Sequence, residues 1–168
     1  MRQLRFLVVD DFESMRKVTQ SQLLSLGYSK ITTAKNGVQA LKMLQTEMVD
    51  VVLSDWNMPE MSGLDLLKAI RNDPKLHHLP FIMITAEVER ARIQEAIACG
   101  VSNLLVKPYS AANLASRIDR ATAPSNHGAP LALAEPSADN RVAVADPAAP
   151  VAPAARATIL VVDDTPDN

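Results

Sequence analysis

The chain has 168 residues, a net charge of -2 and a hydrophobic fraction of 48%. This length and hydrophobic content allow one globular core and a fragment of another, and the charge shows no excess that would indicate nucleic-acid binding. Its single cysteine, Cys99, excludes an internal disulfide and fits a reducing compartment. No apolar run is long enough to cross a bilayer, and acids interrupt the N-terminal apolar stretch too early for a signal peptide, so we expect a soluble cytoplasmic protein.

Residues 1–122 alternate strand-like apolar runs with stretches of helical periodicity. The runs span 6–9, 31–34, 49–54, 81–85 and 103–106, and the first is apolar on both faces, as a strand covered by helices on each side should be. The predicted inner faces of the helices carry Met15, Val18, Gln22 and Leu26; Ala40, Leu41 and Leu44; Leu66, Leu67 and Ile70; Ile93, Ala96 and Ile97; and Leu114, Ile118 and Ala121. This alternation predicts an α/β fold with a parallel sheet, right-handed crossovers and helices on both faces.

Capping residues mark three of the helix starts. Asn36 and Ser110 precede helical stretches and can accept hydrogen bonds from the first backbone N–H groups. Ser62, followed three residues later by Asp65, resembles a capping box. Thr85 has two interpretations, because it ends an apolar strand and could also cap the helix that follows.

The composition changes sharply at Ala123. Residues 123–157 are mostly Ala and Pro and hold six of the eleven prolines, which predicts an extended, semi-stiff linker. The sequence TILVVDD at 158–164 then repeats RFLVVDD at 5–11 almost residue for residue. We expect residues 158–168 to be the first strand of a second, truncated domain of the same kind, and the chain to be a fragment of a longer protein.

Four of the predicted strands end in residues that can carry chemistry. Asp10 and Asp11 follow the first strand, Asp55 follows the third, Thr85 ends the fourth and Lys107 follows the fifth. In a parallel sheet these side chains meet at the edge where open α/β folds bind their ligands. Two carboxylates about 4 Å apart repel by roughly 4 kcal/mol at an effective dielectric near 20, so a divalent cation is expected among them. Oxygen ligands without His or Cys favour Mg²⁺, with Mn²⁺ as the second choice.

This cluster suits phosphoryl chemistry. One acid can attack phosphorus and form an acyl phosphate, Lys107 can neutralise a phosphoryl oxygen, and the Thr85 hydroxyl can donate to another.

Simpler interpretations of these residues also exist. Asp10 and Asp11 could merely favour a helix N-terminus, and Lys107 could be a surface lysine. Trp56 is expected to be a partly exposed neighbour of the site.

Four motifs together resemble the receiver domain of two-component response regulators over about residues 4–122. They are LVVDDF at 7–12, SDWNMPEMSG at 54–63, TAE at 85–87 and VKP at 106–108. Within that family they are most similar to the chemotaxis regulators of the CheY type. The resemblance implies a receiver domain over 1–122 with the doubly wound, flavodoxin-like (βα)5 fold, a five-stranded parallel sheet of strand order 2-1-3-4-5.

The resemblance also implies the roles of individual residues. A sensor histidine kinase or phosphotransfer protein would phosphorylate Asp55. Asp11, Asp55 and the backbone carbonyl of Asn57 would bind Mg²⁺, and Asp10 would assist through a water ligand.

The remaining residues of the family pattern act on the phosphoryl group. Thr85 and Lys107 would contact it, and the bond from Lys107 to Pro108 is expected to be cis. Asn57 and Glu87 occupy positions that tune the hydrolysis of the acyl phosphate.

The sequence departs from the family pattern at Leu104, where a switch aromatic normally stands three residues before the lysine.

We expect a phosphorelay regulator that catalyses only its own phosphotransfer and dephosphorylation and signals through the surface of helix 4, strand 5 and helix 5. Its output domain or target is expected to be a protein, with no nucleic acid or membrane bound by this fragment. The alternatives are a CheY-like regulator of the flagellar motor, a docking module without phosphorylation, and a metal-dependent phosphatase or phosphotransferase. Enzymes of the last kind commonly have an acid where Asn57 stands.

Overall fold

The computed structural model describes residues 3–86 and 88–124. Within them, strands and helices alternate along the whole length. The elements are β1 (Arg5–Val9), α1 (Glu13–Ser25), β2 (Lys30–Ala34), α2 (Gly37–Thr46), β3 (Val51–Asp55), α3 (Gly63–Asn72), β4 (Phe81–Thr85), α4 (Arg90–Ala98), β5 (Asn103–Val106) and α5 (Ala111–Thr122).

All five strands form one parallel sheet with the order β2-β1-β3-β4-β5. The register pairs Val9 with Ser54, Asp55 with Ile84, and Thr85 with Val106, so the carboxyl ends of the central strands lie side by side. The predicted fold class and strand order are therefore confirmed.

Alternate residues of the strands pack into two separate hydrophobic cores, one on each face of the sheet. One core packs α2, α3 and α4 against one face of the sheet, and the other packs α1 and α5 against the opposite face. The central strands β3 and β4 are buried along their entire length, because helices cover both of their faces.

The helix starts follow the predicted caps. The side chain of Asn36 accepts a hydrogen bond from the backbone of Gln39 at 2.7 Å, and Ser110 caps α5. Ser62 and Asp65 form a complete capping box at the start of α3. The structure does not support Thr85 as the cap of α4, because Glu89 occupies that position.

The inner face predicted for α1 is wrong at its centre. Val18 is exposed, whereas Thr19 and Leu23 are the buried residues of this helix. Thr19 can be buried because its hydroxyl donates to the carbonyl of Met15 and shares a hydrogen bond with the hydroxyl of Tyr109. The helix is therefore rotated by about one residue from the predicted orientation.

Three expectations fall outside the described residues. They are the tuning role of Glu87, the linker from residue 125 onward and the second domain over 158–168. Among the described helices, none combines the length and the apolar character that spanning a membrane requires.

Candidate functional site

Three carboxylates meet at the carboxyl edge of the sheet. Asp10 and Asp11 follow β1, and Asp55 is the last residue of β3. One oxygen from each lies within 4.8 Å of the others, and Asp10 and Asp55 are almost completely buried. The strand register thus brings together acids that are 45 residues apart in the sequence, as predicted.

Lys107 completes the cluster from the end of β5. Its Nζ lies 2.7 Å from Asp55 Oδ1 and 3.3 Å from Asp10 Oδ2. Its backbone N–H donates to the carbonyl of Thr85 at 2.8 Å, which keeps the end of β5 beside that of β4. The peptide bond between Lys107 and Pro108 is cis, as the family resemblance implied. Lys107 thus lies within the acid cluster and is not an exposed surface lysine.

The charges of the cluster act on one another. Burial raises the pKa of Asp55, the hydrogen bond and charge of Lys107 oppose that change, and the charges of Asp10 and Asp11 add to it. Burial alone would lower the pKa of Lys107, but the hydrogen bond to Asp55 and the nearby negative charges raise it. Lys107 is therefore a cation at neutral pH, and its charge does not fully offset the effect of burial and of the neighbouring acids on the pKa of Asp55.

One oxygen of the cluster has no partner among the described residues. Asp11 Oδ1 is buried and accepts no hydrogen bond from any group that the structure describes. A buried carboxylate oxygen of this kind is costly unless a cation or an ordered water binds it. Three carboxylates with one orphaned oxygen fit a hard divalent cation, for which oxygen is the preferred ligand.

Arg16 fixes the backbone that carries the first two acids, a role that the sequence did not indicate. Its Nη1 donates to the carbonyl of Asp10 at 2.6 Å and to that of Asp11 at 3.2 Å. The Asp10 carboxylate in turn accepts from the backbone of Phe12 at 2.9 Å. A positive charge in the first turn of a helix is disfavoured by the helix dipole. That position is the one feature of the sequence that could have pointed to a local role for Arg16.

Comparison with protein families assigns the described domain to one of them. The response regulator receiver domain family matches residues 6–119. The chain belongs to this family.

Two of the matching proteins are chemotaxis regulators of about the same length as the described domain. The chemotaxis protein CheY-3 of Vibrio cholerae is 45% identical over 119 residues, which cover 71% of this chain and 92% of that protein. A crystal structure of the chemotaxis response regulator CheY4 of Vibrio cholerae matches with a TM-score of 0.67 and 34% identity, covering 71% of this chain and 99% of that chain. The chain is thus a two-component signalling receiver of the phosphoacceptor type.

A third comparison bears on the acid cluster. The receiver domain of a sensor histidine kinase from Pseudomonas aeruginosa matches with a TM-score of 0.65 and 26% identity, covering 71% of this chain and 97% of that chain. That structure is described with a magnesium ion coordinated in its active-site cleft.

Trp56 differs from expectation, and Leu104 differs from the family pattern. Trp56 is only 6% exposed, so the expected partial exposure is wrong, because the ring belongs to the core that α2, α3 and α4 form on one face of the sheet. Leu104, at the position of the switch aromatic, is half-buried and packs against the same core. Tyr109 lies against the opposite core, beside α1, and so does not replace the missing ring.

Proposed function

We propose that Asp55 is the phosphoacceptor of this receiver domain and that the domain acts as a phosphorylation-dependent switch. The carrying observation is the position of Lys107, whose Nζ lies 2.7 Å from a buried carboxylate that shares its cleft with two further acids. A structural salt bridge would need one acid, whereas this cleft holds more negative charge than Lys107 can neutralise.

The acids provide the ligands for a divalent cation. Asp11 and Asp55 would bind it directly with the backbone carbonyl of Asn57, and Asp10 would assist through a water ligand. Mg²⁺ is the proposed ion and Mn²⁺ a substitute, because both take oxygen ligands readily. When bound, the ion would reduce the repulsion between Asp55 and an incoming phosphoryl group and between the acids themselves.

The chain's own residues act on the phosphoryl group. A carboxylate oxygen of Asp55 attacks phosphorus, the bond from phosphorus to the donor's imidazole nitrogen breaks, and the imidazole leaves with that electron pair. Lys107 moves from the Asp55 carboxylate to a phosphoryl oxygen and neutralises its charge. Thr85, buried at the end of β4, donates its hydroxyl to another phosphoryl oxygen.

Asn57 and Glu87 are proposed to set the lifetime of the acyl phosphate, and the domain itself catalyses only its own phosphorylation and dephosphorylation. Phosphorylation shifts an existing conformational equilibrium, and the surface of α4, β5 and α5 presents the result to an output domain or protein target. The phosphodonor is a sensor histidine kinase or phosphotransfer protein in the cytoplasm.

A second candidate is a chemotaxis regulator that acts on the flagellar motor. The 45% identity to CheY-3 of Vibrio cholerae favours it. Leu104 opposes the usual coupling to such a target, because a leucine cannot reproduce the swing of an aromatic ring between exposed and buried positions. Motor rotation in a strain that carries the chain as its single regulator would distinguish the two candidates.

The proposal is tested by incubating the protein with Mg²⁺ and acetyl phosphate and following the intact mass. We expect the gain of one phosphoryl group in the parent and in Asp119→Ala, which removes an exposed carboxylate on α5. Asp55→Ala should gain none. Equal labelling of the parent and of Asp55→Ala would exclude Asp55 as the acceptor.

A further inference from the structure

The loop between β3 and α3 contains a strained turn close to the acid cluster. Glu60 has a φ of +67°, and the backbone N–H of Met61 donates to the carbonyl of Pro59 at 2.8 Å. A hydrogen bond that spans three residues around a central positive φ is typical of the rarer, strained kind of γ-turn. Among residues 3–86 and 88–124, Glu60 is the single non-glycine residue with a positive φ. Such a conformation persists only where surrounding contacts hold it.

Asn36, the cap of α2, supplies one of these contacts. Its Oδ1 accepts from the backbone N–H of Gln39 at 2.7 Å, and its Nδ2 donates to Glu60 Oε2 at 3.2 Å. Because a backbone N–H needs an acceptor, the amide oxygen must face Gln39, which directs the NH₂ group towards Glu60. One side chain, only 9% exposed, therefore joins the start of α2 to the turn.

Gly37 lets the next residue of the turn pack on the same helix start. A Cβ atom on Gly37 would lie 2.7 Å from Met61 Cγ and 3.0 Å from the Met61 carbonyl oxygen. Met61 is partly buried against the core that α2, α3 and α4 form. The turn thus rests on the start of α2 through a hydrogen bond at Glu60 and close packing at Met61.

Pro59 connects the turn to the residue proposed to bind the metal through its backbone. The proline ring fixes its own φ, and the hydrogen bond from Met61 closes the turn directly after it. One residue separates Pro59 from Asn57, whose backbone carbonyl is the proposed ligand beside Asp55. A shift of the turn therefore moves that carbonyl. Groups that fix the position of metal ligands commonly raise the affinity for the ion.

We propose that Asn36 is a positioning residue of the metal site, which holds the β3–α3 loop through Glu60 and thereby raises the affinity for Mg²⁺. The proposal rests on the proposed function of the same site. It requires no contact between Asn36 and the ion, and it makes the start of α2 a part of the support for the metal ligands.

The test exchanges the donor and the acceptor of the hydrogen bond. Asn36→Asp keeps a cap for the N–H of Gln39, because a carboxylate oxygen accepts there equally well, but it places a second carboxylate against Glu60. Adding Glu60→Gln restores a hydrogen bond, since the introduced amide donates to the introduced carboxylate. The double variant also has the net charge of the parent.

Mg²⁺ affinity is followed by Trp56 fluorescence in the parent, the two single variants and the double variant. We expect Asn36→Asp to weaken binding by about threefold to tenfold, the factor that corresponds to one hydrogen bond. Glu60→Gln keeps an acceptor for Asn36, so this variant and the double variant should bind nearly as tightly as the parent. An added negative charge that acted only through space would strengthen the binding of a cation. The direction of the change therefore separates positioning from electrostatic attraction.

Gln39→Glu is the matched control, because it adds the same charge to an exposed position in the first turn of α2. Its carboxylate can still accept from the backbone N–H of Lys35, as the amide oxygen does at 2.9 Å. We expect this variant to bind Mg²⁺ at least as tightly as the parent. Parent-like binding by Asn36→Asp, an equal loss in Gln39→Glu, or a double variant as weak as Asn36→Asp would overturn the proposal.

A second measurement needs no metal. The backbone N–H of Gly63 donates to the carbonyl of Trp56 at 2.9 Å and so closes the loop. In EDTA, we expect this amide to exchange its hydrogen faster in Asn36→Asp than in the parent, and at the parent's rate in the double variant and in Gln39→Glu. Parent-like exchange in Asn36→Asp would contradict the role of Asn36, whereas a parent that binds no Mg²⁺ would contradict the proposed function itself.

Discussion

Gly63 approaches Asp55, at the end of β3, so closely that no side chain fits between them. A Cβ atom on Gly63 would lie 2.2 Å from the carbonyl oxygen of Asp55 and 2.9 Å from Met83 Sδ. Because a backbone carbonyl cannot move aside without displacing its own residue, we expect Gly63→Ala to lower the free energy of unfolding by about 1–3 kcal/mol. It should also slow phosphorylation, because Asp55 is displaced. Urea unfolding and intact-mass kinetics measure the two effects.

Gly27→Ala is the control for this substitution. Gly27 has a φ of +92°, and nothing lies within 4 Å of a Cβ at that position. Its replacement strains the backbone and should lower the free energy of unfolding by about 1 kcal/mol with no change in phosphorylation rate. Parent-like phosphorylation of a folded Gly63→Ala would show that the contact with Asp55 does not define the site.

Arg16 tests whether the backbone of the acid pair determines the affinity for the metal. It donates to the carbonyl groups of Asp10 and Asp11, so its loss lets both residues shift. We expect Arg16→Ala to weaken Mg²⁺ binding by about 10-fold or more, the effect typical of groups that orient metal ligands. Trp56, the only tryptophan, lies beside Asp55, and its fluorescence follows the titration.

Lys17→Ala is the matched variant on the same helix. Lys17 pairs with Glu13 at 2.7 Å between two exposed side chains, and such pairs contribute little. We expect its Mg²⁺ affinity to equal that of the parent. An equal loss in both variants would indicate a general effect of positive charge rather than the hydrogen bonds of Arg16.

The sequence was sufficient to place the acids at one edge of the sheet. Apolar runs that end in Asp10, Asp55 and Thr85 define parallel strands, and parallel strands bring their ends together whatever the helices between them do. That argument depends only on local pattern and topology. It locates residues, whereas their roles remain predictions.

Long-range partners explain what the sequence could not show. Thr19 is polar and lies outside the predicted inner face of α1, yet Tyr109, 90 residues away, supplies a partner that permits its burial. Trp56 likewise is buried because it joins the core on the α2, α3 and α4 face of the sheet, with Arg92 over its ring. Helical periodicity records the character of a residue and not the identity of its distant partners.

Removing the charge of Asp55 should stabilise the protein in the absence of metal. The folded-state pKa of Asp55 is raised above its unfolded value, chiefly by burial, so stability falls as the pH rises through the interval between the two values. Ionisation of Asp55 therefore lowers the free energy of unfolding. We expect Asp55→Asn to raise Tm by a few degrees in EDTA, measured by thermal unfolding.

Mg²⁺ should favour the parent over Asp55→Asn in thermal unfolding. A ligand that binds only the folded state stabilises it, and the parent holds the full set of acids. We therefore expect Mg²⁺ to raise the Tm of the parent more than that of Asp55→Asn. Asp119→Asn, an exposed change on α5, should behave as the parent in both conditions. A lower Tm of Asp55→Asn in EDTA would mean that its contact with Lys107 outweighs the repulsion.

Tyr109 joins the segment after Lys107 to α1. Its hydroxyl and Thr19 Oγ1 lie 2.5 Å apart, and its carbonyl accepts from Gln22 Nε2 at 3.0 Å. Because Thr19 is almost fully buried, Tyr109→Phe removes one of the two hydrogen bonds of a hydroxyl that has little access to water. We expect Tyr109→Phe and Thr19→Val each to lower the free energy of unfolding by about 1–2 kcal/mol.

The double variant decides whether these losses report one interaction. If they do, the combined loss in urea unfolding is smaller than the sum of the single losses by about 0.5 kcal/mol or more. Tyr28→Phe is the control, because Tyr28 contacts Phe6 through its ring, at a tilted angle of 59°, and should lose little with its hydroxyl. Additive losses for Tyr109 and Thr19 would contradict the link and would leave α1 held to the sheet by apolar packing through Leu23.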